Sequence, residues 1–186
     1  MLFNSHSDLE GQHAFLSASK YHWINYSEEK LDRMFVAHQA AVRGTELHAF
    51  AHTAIRLSQK LPGNGKTLSS YVNDAIGYKM RVEQILYFSP NAFGTADTIS
   101  FRKNKLRIHD LKTGYTPCSE HQLEVYAALF CLEYEFRPFD IEIEMRIYQN
   151  DEVRIYEADP DVITHIMDKI RVFDRRITEL RLEALS

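Results

Sequence analysis

The sequence predicts a domain that mixes helices and strands, in the α/β or α+β class. Helical spacing of apolar residues dominates from Ser17 to Gln59 and returns from Leu68 to Lys79. Strand-like segments follow up to residue 157, and a helical segment at Ser119–Glu135 interrupts them. A last helix at Pro160–Glu183 completes an order of helices, three strands, helix, two strands and helix.

The bulk composition is that of a single folded domain covering residues 1–186. Of the 186 residues 45% are hydrophobic and 26% charged, with only 7 Gly and 5 Pro, so the chain can bury a core without metal or disulfide staples. We expect a helical N-terminal part at about 15–80, a sheet core at about 82–158 and a C-terminal helix at about 160–183.

Cysteine content and hydropathy indicate a cytoplasmic protein without membrane contact. The 2 cysteines, Cys118 and Cys131, are too few for an iron–sulfur cluster or a four-cysteine zinc site and favour a reducing compartment. The polar start at residues 1–11 lacks the pattern of a signal peptide, and no run reaches the roughly 18 apolar residues of a spanning helix. The net charge of −4 argues against a basic coat over the whole surface.

Several helix starts are marked by residues that commonly cap helices. Ser17 or Ser19 is placed to cap a short helix that runs to Trp23, and Ser27 is placed to cap the next one. Pro160 is a typical first-turn residue for the last helix, because its missing N–H is not needed there.

Strand signals occupy five segments between the helices. Residues with high strand propensity are enriched at 83–88, 94–101, 105–111, 139–148 and 152–157. Lys103 and Asn104 separate the second segment from the third, which is the loop length of a tight hairpin. We therefore expect an antiparallel hairpin at the centre of the sheet.

The register of this hairpin decides where the polar side chains lie. With a two-residue turn, Ile99 faces Ile108 and Asp97 faces Asp110. The period of two along a strand places all four on one face, with Lys112 one step further along it. An apolar ladder therefore ends in two opposed carboxylates with an amine beside them.

Opposed carboxylates repel each other unless positive charge lies between them. Mg²⁺ suits the position between Asp97 and Asp110, because it prefers carboxylate oxygen and keeps several water ligands. One such water could attack a phosphodiester, while Lys112 orients it or stabilises developing charge. The alternative is a surface salt-bridge cluster, since short acid-x-lysine patterns are common.

Three further features argue against the alternative of a surface salt-bridge cluster. Gln122 and Tyr126 lie four residues apart, on one face of the helix that follows Lys112. His48 is a borderline ligand that suits mixed Mn²⁺ or Mg²⁺ sites, and Glu83 opens the first strand. Each has an ordinary alternative: a buried tyrosine with a polar neighbour, a structural histidine and a solvated glutamate.

Together the motifs resemble those of a known nuclease family. The segments occur in the family's order and are Arg43-Gly44-Thr45-Glu46-Leu47-His48, Val82-Glu83, Gly94-Thr95-Ala96-Asp97, His109-Asp110-Leu111-Lys112-Thr113-Gly114 and Gln122-Leu123-Glu124-Val125-Tyr126. The chain resembles the RecB branch of the PD-(D/E)XK nucleases, which includes the RecB nuclease domain, lambda-type exonucleases and CRISPR-associated adaptation nucleases. The resemblance covers about residues 16–126 and begins at Leu16-Ser17-Ala18-Ser19.

The resemblance implies both a fold and a site. The fold is a restriction-endonuclease-like core, with a central mixed sheet flanked by helices and an N-terminal helical segment. The residues that match the family's ligands for Mg²⁺ or Mn²⁺ are His48, Asp97, Asp110 and the carbonyl of Leu111. The residues that match its catalytic lysine and its glutamine–tyrosine motif are Lys112, Gln122 and Tyr126. Asp110 stands where many relatives have Glu, and no iron–sulfur cluster is expected, because the four cysteines that hold one in several relatives are missing.

The expected activity is metal-dependent hydrolysis of DNA, single- or double-stranded. Family analogy favours an exonuclease or end-processing enzyme of recombination, repair or phage DNA metabolism, working with a recombination partner protein. The alternatives are a structure-specific endonuclease of the same fold, an RNA-directed nuclease and a non-catalytic nucleic-acid-binding or assembly protein. The intact set of motifs argues against the last, because loss of activity usually removes one of those residues first.

Other patterns were weighed against this interpretation. His48 and His52 share a helix face as in zinc peptidases, but Ala49 stands where the required glutamate would be. Cations near the hairpin could contact DNA phosphates or simply belong to a solvated turn; they are Lys79, Arg81, Arg102, Lys103, Lys105 and Arg107. The apolar stripe of the last helix is typical of packing on its own domain, with a homo-oligomer interface as the alternative.

Overall fold

The computed structural model describes Ser7, Gly11 and residues 13–184. The chain forms two compact units, the first ending at Glu46 and the second beginning at Leu47. A 3-10 segment, Ala18–Asn25, lies in the first unit, and helix α1, Glu28–Arg56, starts there and ends in the second. In the described part of the chain, no helix is long and apolar enough to cross a membrane.

The first unit contains the helix starts that were predicted at Ser17 or Ser19 and at Ser27. Ser27 precedes α1, and its Oγ accepts a hydrogen bond from the Lys30 N–H at 3.3 Å, which confirms the predicted cap. Ser17 precedes the 3-10 segment, but its side chain caps no helix N–H. Its carbonyl accepts a hydrogen bond from Trp23 Nε1 at 2.9 Å, and its Oγ lies 2.7 Å from that of Ser19.

The second unit is built on a mixed five-stranded sheet. Its elements after α1 are α2 (Thr67–Gly77), β1 (Arg81–Ser89), β2 (Ala92–Arg102), β3 (Lys105–Leu111), α3 (His121–Glu133), β4 (Glu142–Gln149), β5 (Glu152–Glu157) and α4 (Pro160–Glu183). The strands lie in sequence order, with β3 and β4 parallel and the other neighbours antiparallel. The segment with α3 connects the parallel pair, as such a crossover requires. The predicted α+β class is confirmed.

The central hairpin has the predicted turn, and its register matches the prediction as far as Thr98 with His109; the predicted pair of Asp97 with Asp110 is not part of the ladder. Ile99 pairs with Ile108, as a two-residue loop requires. Lys103 and Asn104, the two loop residues, have φ values of 50° and 60°. Two successive left-handed residues are typical of the type I′ turn, whose twist matches that of the flanking strands.

Two hydrophobic clusters lie on opposite faces of the sheet. The cluster beneath α3 and α4 includes Leu86, Ile108, Leu123, Met145 and Ile163. The cluster beneath α2 and the end of α1 includes Ala51, Tyr71, Val72, Leu111 and Tyr148. Both faces are therefore covered by helices, and the sheet edges and strand ends are the places where polar side chains can collect.

The start of β4 differs from the sequence prediction. A strand was predicted from Phe139, but Pro138–Asp140 forms a short 3-10 turn and β4 begins at Glu142. The fixed φ of Pro138 and its missing N–H favour such a turn over a paired strand.

Three helices end with a non-glycine residue in the left-handed conformation. The residues after α1, α2 and α3 are Ser58, Lys79 and Glu135, with φ values of 53°, 52° and 58°. In each case the N–H of the following residue donates to the carbonyl five residues earlier. The pairs are Gln59 to Ala54, Met80 to Ala75 and Phe136 to Cys131. These are Schellman endings, in which glycine is the residue without a steric penalty.

Candidate active site

His48 and Asp97 meet at the end of the central hairpin. His48 Nδ1 lies 3.6 Å from Asp97 Oδ2. The same Oδ2 accepts a hydrogen bond from the Leu111 N–H at 3.1 Å. The last pair of the β2–β3 ladder is Thr98 with His109, so Asp97 lies one residue beyond it. The group of Leu111 that contacts Asp97 is its N–H and not its carbonyl. The role of the carbonyl as a metal ligand therefore remains a prediction.

Asp110 is a buried carboxylate with one cationic neighbour. It is 3% exposed, and Lys112 Nζ donates to its Oδ1 at 3.2 Å and lies 3.0 Å from its Oδ2. Burial raises the pKa of Asp110, and the charge of Asp97 raises it further, more than Lys112 lowers it. The surroundings of Asp110 therefore disfavour its charged form.

Lys112 is held by a chain of polar contacts that reaches α3. Its Nζ donates to Gln122 Oε1 at 2.9 Å, and Gln122 Nε2 donates to the Tyr126 hydroxyl at 3.0 Å. Burial lowers the pKa of Lys112, but the adjacent Asp110 outweighs this and leaves the pKa raised overall. Lys112 is therefore a fixed ammonium group rather than a base.

Gly94 gives Tyr126 the room to lie against β2. A Cβ atom at Gly94 would stand 2.9 Å from Tyr126 Cε1, closer than ordinary van der Waals contact. The motif glycine therefore has a steric role that the sequence pattern did not explain. Gly94 lies on β2 and Tyr126 on α3, so only tertiary packing reveals this role.

His52 lies beside the predicted site and was not assigned to it. It is 5% exposed, and its Nδ1 lies 3.5 Å from Glu83 Oε1. Glu83 is half-exposed and forms an ion pair with Arg56. Burial lowers the pKa of His52, partly offset by the charges of Asp97 and Glu83, which favours the neutral imidazole.

The strand geometry is irregular where Glu83 meets Asp97. The residues on either side pair regularly, as Val82 with Thr98 and Gln84 with Ala96. Glu83 between them has a φ of 52°, a left-handed conformation that a long side chain rarely adopts. Ala96 and Ile99 contribute to the same hydrophobic cluster although they are three residues apart, so the alternation of β2 is broken near Asp97. Such local strain recurs at functional sites.

The predicted site residues are thus brought together in two linked groups. One is His48, Asp97 and Leu111, and the other is Asp110, Lys112, Gln122 and Tyr126. The two groups are coupled through the charge of Asp97 acting on Asp110. Two carboxylates and an imidazole are a ligand set that suits a divalent cation.

Comparison of the chain with protein-family models, with curated proteins and with solved structures gave no match. The chemistry of the site and the motif residues of this chain are therefore the observations that bear on its function.

Proposed function

We propose that this protein is a metal-dependent DNA nuclease of the restriction-endonuclease-like fold, in the RecB branch of the PD-(D/E)XK nucleases. The observation that carries the proposal is the contact chain from buried Asp110 through Lys112 and Gln122 to Tyr126. A surface salt bridge would need neither the burial of the carboxylate nor the two residues that hold the lysine. The proposed reaction is hydrolysis of phosphodiester bonds.

The proposed metal is Mg²⁺ or Mn²⁺, held by His48, Asp97 and Asp110 with the Leu111 carbonyl as a further ligand. When bound, such a metal neutralises phosphate charge and lowers the pKa of a bound water. It would also relieve the charge imbalance at Asp110, whose pKa burial now raises.

The chain's own residues supply orientation and fixed charge. Lys112 places an ammonium group 3.0 Å from a buried carboxylate oxygen, where it can hydrogen-bond an attacking water or stabilise charge on the phosphate. Gln122 and Tyr126 restrict the lysine to this position before substrate arrives, so little ordering remains to be done during the reaction. The Leu111 N–H fixes the Asp97 carboxylate in the same way.

A basic groove supports nucleic acid as the substrate. Lys79, Arg81 and Arg102 border a groove of about 470 Å³ that also contains the ring of Tyr134. Within residues 13–184, none of these three cations has an ion-pair partner. Unpaired cations beside an aromatic ring can contact phosphates and stack on bases. We propose DNA, and favour digestion from an end over cleavage at internal structures, by family analogy.

The test is cleavage of labelled linear, nicked and closed circular DNA with and without chelator. We expect metal-dependent loss of the linear substrate, abolished by chelator and reduced at least about 100-fold by Lys112→Ala, because a positioned charge at the reacting group is removed. Lys60→Ala, which removes an exposed lysine, is the matched control and should leave the rate unchanged. Cleavage that survives both chelator and Lys112→Ala would refute the proposal.

The second candidate function is a binding or assembly protein that keeps the fold without the activity. The basic groove favours it as much as it favours a nuclease. Calorimetric titration with Mn²⁺ separates the two, because a nuclease site should bind the ion saturably and lose it in Asp110→Ala. Equal binding in both proteins, together with DNA binding but no cleavage, would favour the assembly protein.

A further inference from the structure

His52 carries an imidazole nitrogen with no partner. Its Nε2 is buried from solvent and makes no hydrogen bond in the described structure. The residue as a whole is 5% exposed. Buried polar atoms are normally satisfied, so an orphan nitrogen in a cluster of ionisable groups indicates a missing partner.

The position of the His52 ring suits a metal ligand. Ligand atoms of His48, His52 and Asp97 all lie within 4.8 Å of one another. Three ligands about 2.0–2.2 Å from one ion necessarily fall within such a distance. Asp110 is not one of this close set, and its carboxylate pairs with Lys112. The three-residue set therefore differs from the ligands that the family resemblance implies.

The surroundings of His52 prepare it to act as a ligand. Its Nδ1 faces Glu83 Oε1 at 3.5 Å, and Glu83 is fixed by its ion pair with Arg56. Metal-binding histidines characteristically donate their second ring N–H to a carboxylate, which selects the tautomer and orients the ring. If Nδ1 carries the proton and directs its N–H at Glu83, Nε2 is unprotonated and its lone pair is available. Glu83, whose carboxylate faces His52, also has the left-handed backbone conformation, with a φ of 52°.

We infer that His52 is a further metal ligand and that the site prefers Mn²⁺ or a later first-row dication to Mg²⁺. The inference rests on the proposed metal site and deepens it. Mg²⁺ demands oxygen ligands and accepts imidazole poorly, whereas transition dications bind imidazole well. A second imidazole beside His48, added to the carboxylates of Asp97 and Asp110, therefore makes the site discriminate between ions that an all-oxygen site would treat alike.

The first test measures affinity for Mn²⁺ and Mg²⁺ by calorimetry on the intact protein. We expect His52→Leu, which keeps the side-chain volume, to weaken Mn²⁺ binding about 10- to 100-fold and Mg²⁺ binding less than about 3-fold. Glu83→Gln should act in the same direction with a smaller effect. His165→Leu, at a histidine on α4, is the matched control and should change neither affinity. Equal losses for both ions, or no loss for Mn²⁺ in His52→Leu, would overturn the inference.

The second test needs no variant and so survives poor folding of His52→Leu. Pulsed electron paramagnetic resonance of Mn²⁺ bound to the natural chain counts the coordinated imidazole nitrogens. Two are expected, and one or none would overturn the inference. Two nitrogens without DNA cleavage would uphold the ligand set while refuting the nuclease. Cleavage with only one coordinated nitrogen would refute the ligand set while upholding the nuclease.

Discussion

Gly94→Ala is the substitution that tests most sharply how the site is packed. The new methyl would stand 2.9 Å from Tyr126 Cε1, and ordinary contact begins at 3.4 Å. The ring must therefore move by about 0.5 Å or more, because repulsion rises steeply below contact distance. Such a shift takes the 3.0 Å hydrogen bond between Gln122 and Tyr126 to the limit of useful geometry.

Gly94→Ala should change two quantities: the stability, through overpacking, and the cleavage rate, through the lysine that Gln122 holds. We expect Gly94→Ala to lower the free energy of unfolding by about 1–3 kcal/mol. The cleavage rate should fall about 10- to 100-fold, because Lys112 loses part of its support. Urea denaturation followed by circular dichroism gives the first quantity, and initial cleavage rates give the second.

A double-mutant cycle separates the clash with Tyr126 from the alternative that β2 accepts no side chain at position 94 for some other reason. In a Tyr126→Ala background the methyl has no ring to meet, so Gly94→Ala should cost less than about 0.5 kcal/mol there. Gly77→Ala is the control, since its Cβ would enter open space; it should stabilise by about 0.5–1 kcal/mol. A Gly94→Ala cost that is equal in both backgrounds would refute the steric role of Gly94.

Three further predictions follow from the charges and the backbone. Asp110→Asn should raise the melting temperature of the metal-free protein at neutral pH, because the raised pKa of Asp110 means that its ionisation destabilises the fold. The contribution of Asp110 to stability should fall as pH rises from the ordinary pKa of 3.8 through the raised pKa, so the advantage of Asp110→Asn should grow over that range. Melts of both proteins from pH 4 to pH 8 that show no such gain would contradict this. Mn²⁺ at 100 times its dissociation constant should raise the free energy of unfolding by about 2.7 kcal/mol, which corresponds to a rise in melting temperature of roughly 5–10 °C. Asp97→Asn should remove this rise, and an equal rise in both proteins would show that the ion binds elsewhere. Lys79→Gly should stabilise by about 0.5–1 kcal/mol in urea melts, since it relieves a left-handed φ of 52°, and a loss of stability would contradict the Schellman ending.

The parts of the fold that sequence predicts well are those that local rules determine. The bounds of β3 and the pairing of Ile99 with Ile108 follow from a two-residue turn and a period of two. The same rules carry Lys112 to the end of the hairpin, and helical spacing brings Gln122 and Tyr126 to one face of α3. These residues lie close in sequence, so little depends on distant packing.

The parts that sequence did not reveal depend on contacts between distant segments. His52 and Glu83 belong to different elements, and only tertiary packing shows that they meet. The left-handed backbone of Glu83 has no local signal, because glutamate is not a residue that favours it. The start of β4 was predicted too early because the strand-like composition after Phe139 outweighed the turn preference of Pro138.

The central claim is most directly tested by one cleavage measurement. Single- and double-stranded DNA labelled at either end is incubated with the natural chain and with Lys112→Ala, in Mn²⁺, in Mg²⁺ and in chelator. We predict that the natural chain shortens the labelled strand only when metal is present, and that Lys112→Ala does so at least about 100-fold more slowly. Intact DNA in every sample, at a Mn²⁺ concentration that saturates the protein, would contradict the claim that this site belongs to a nuclease.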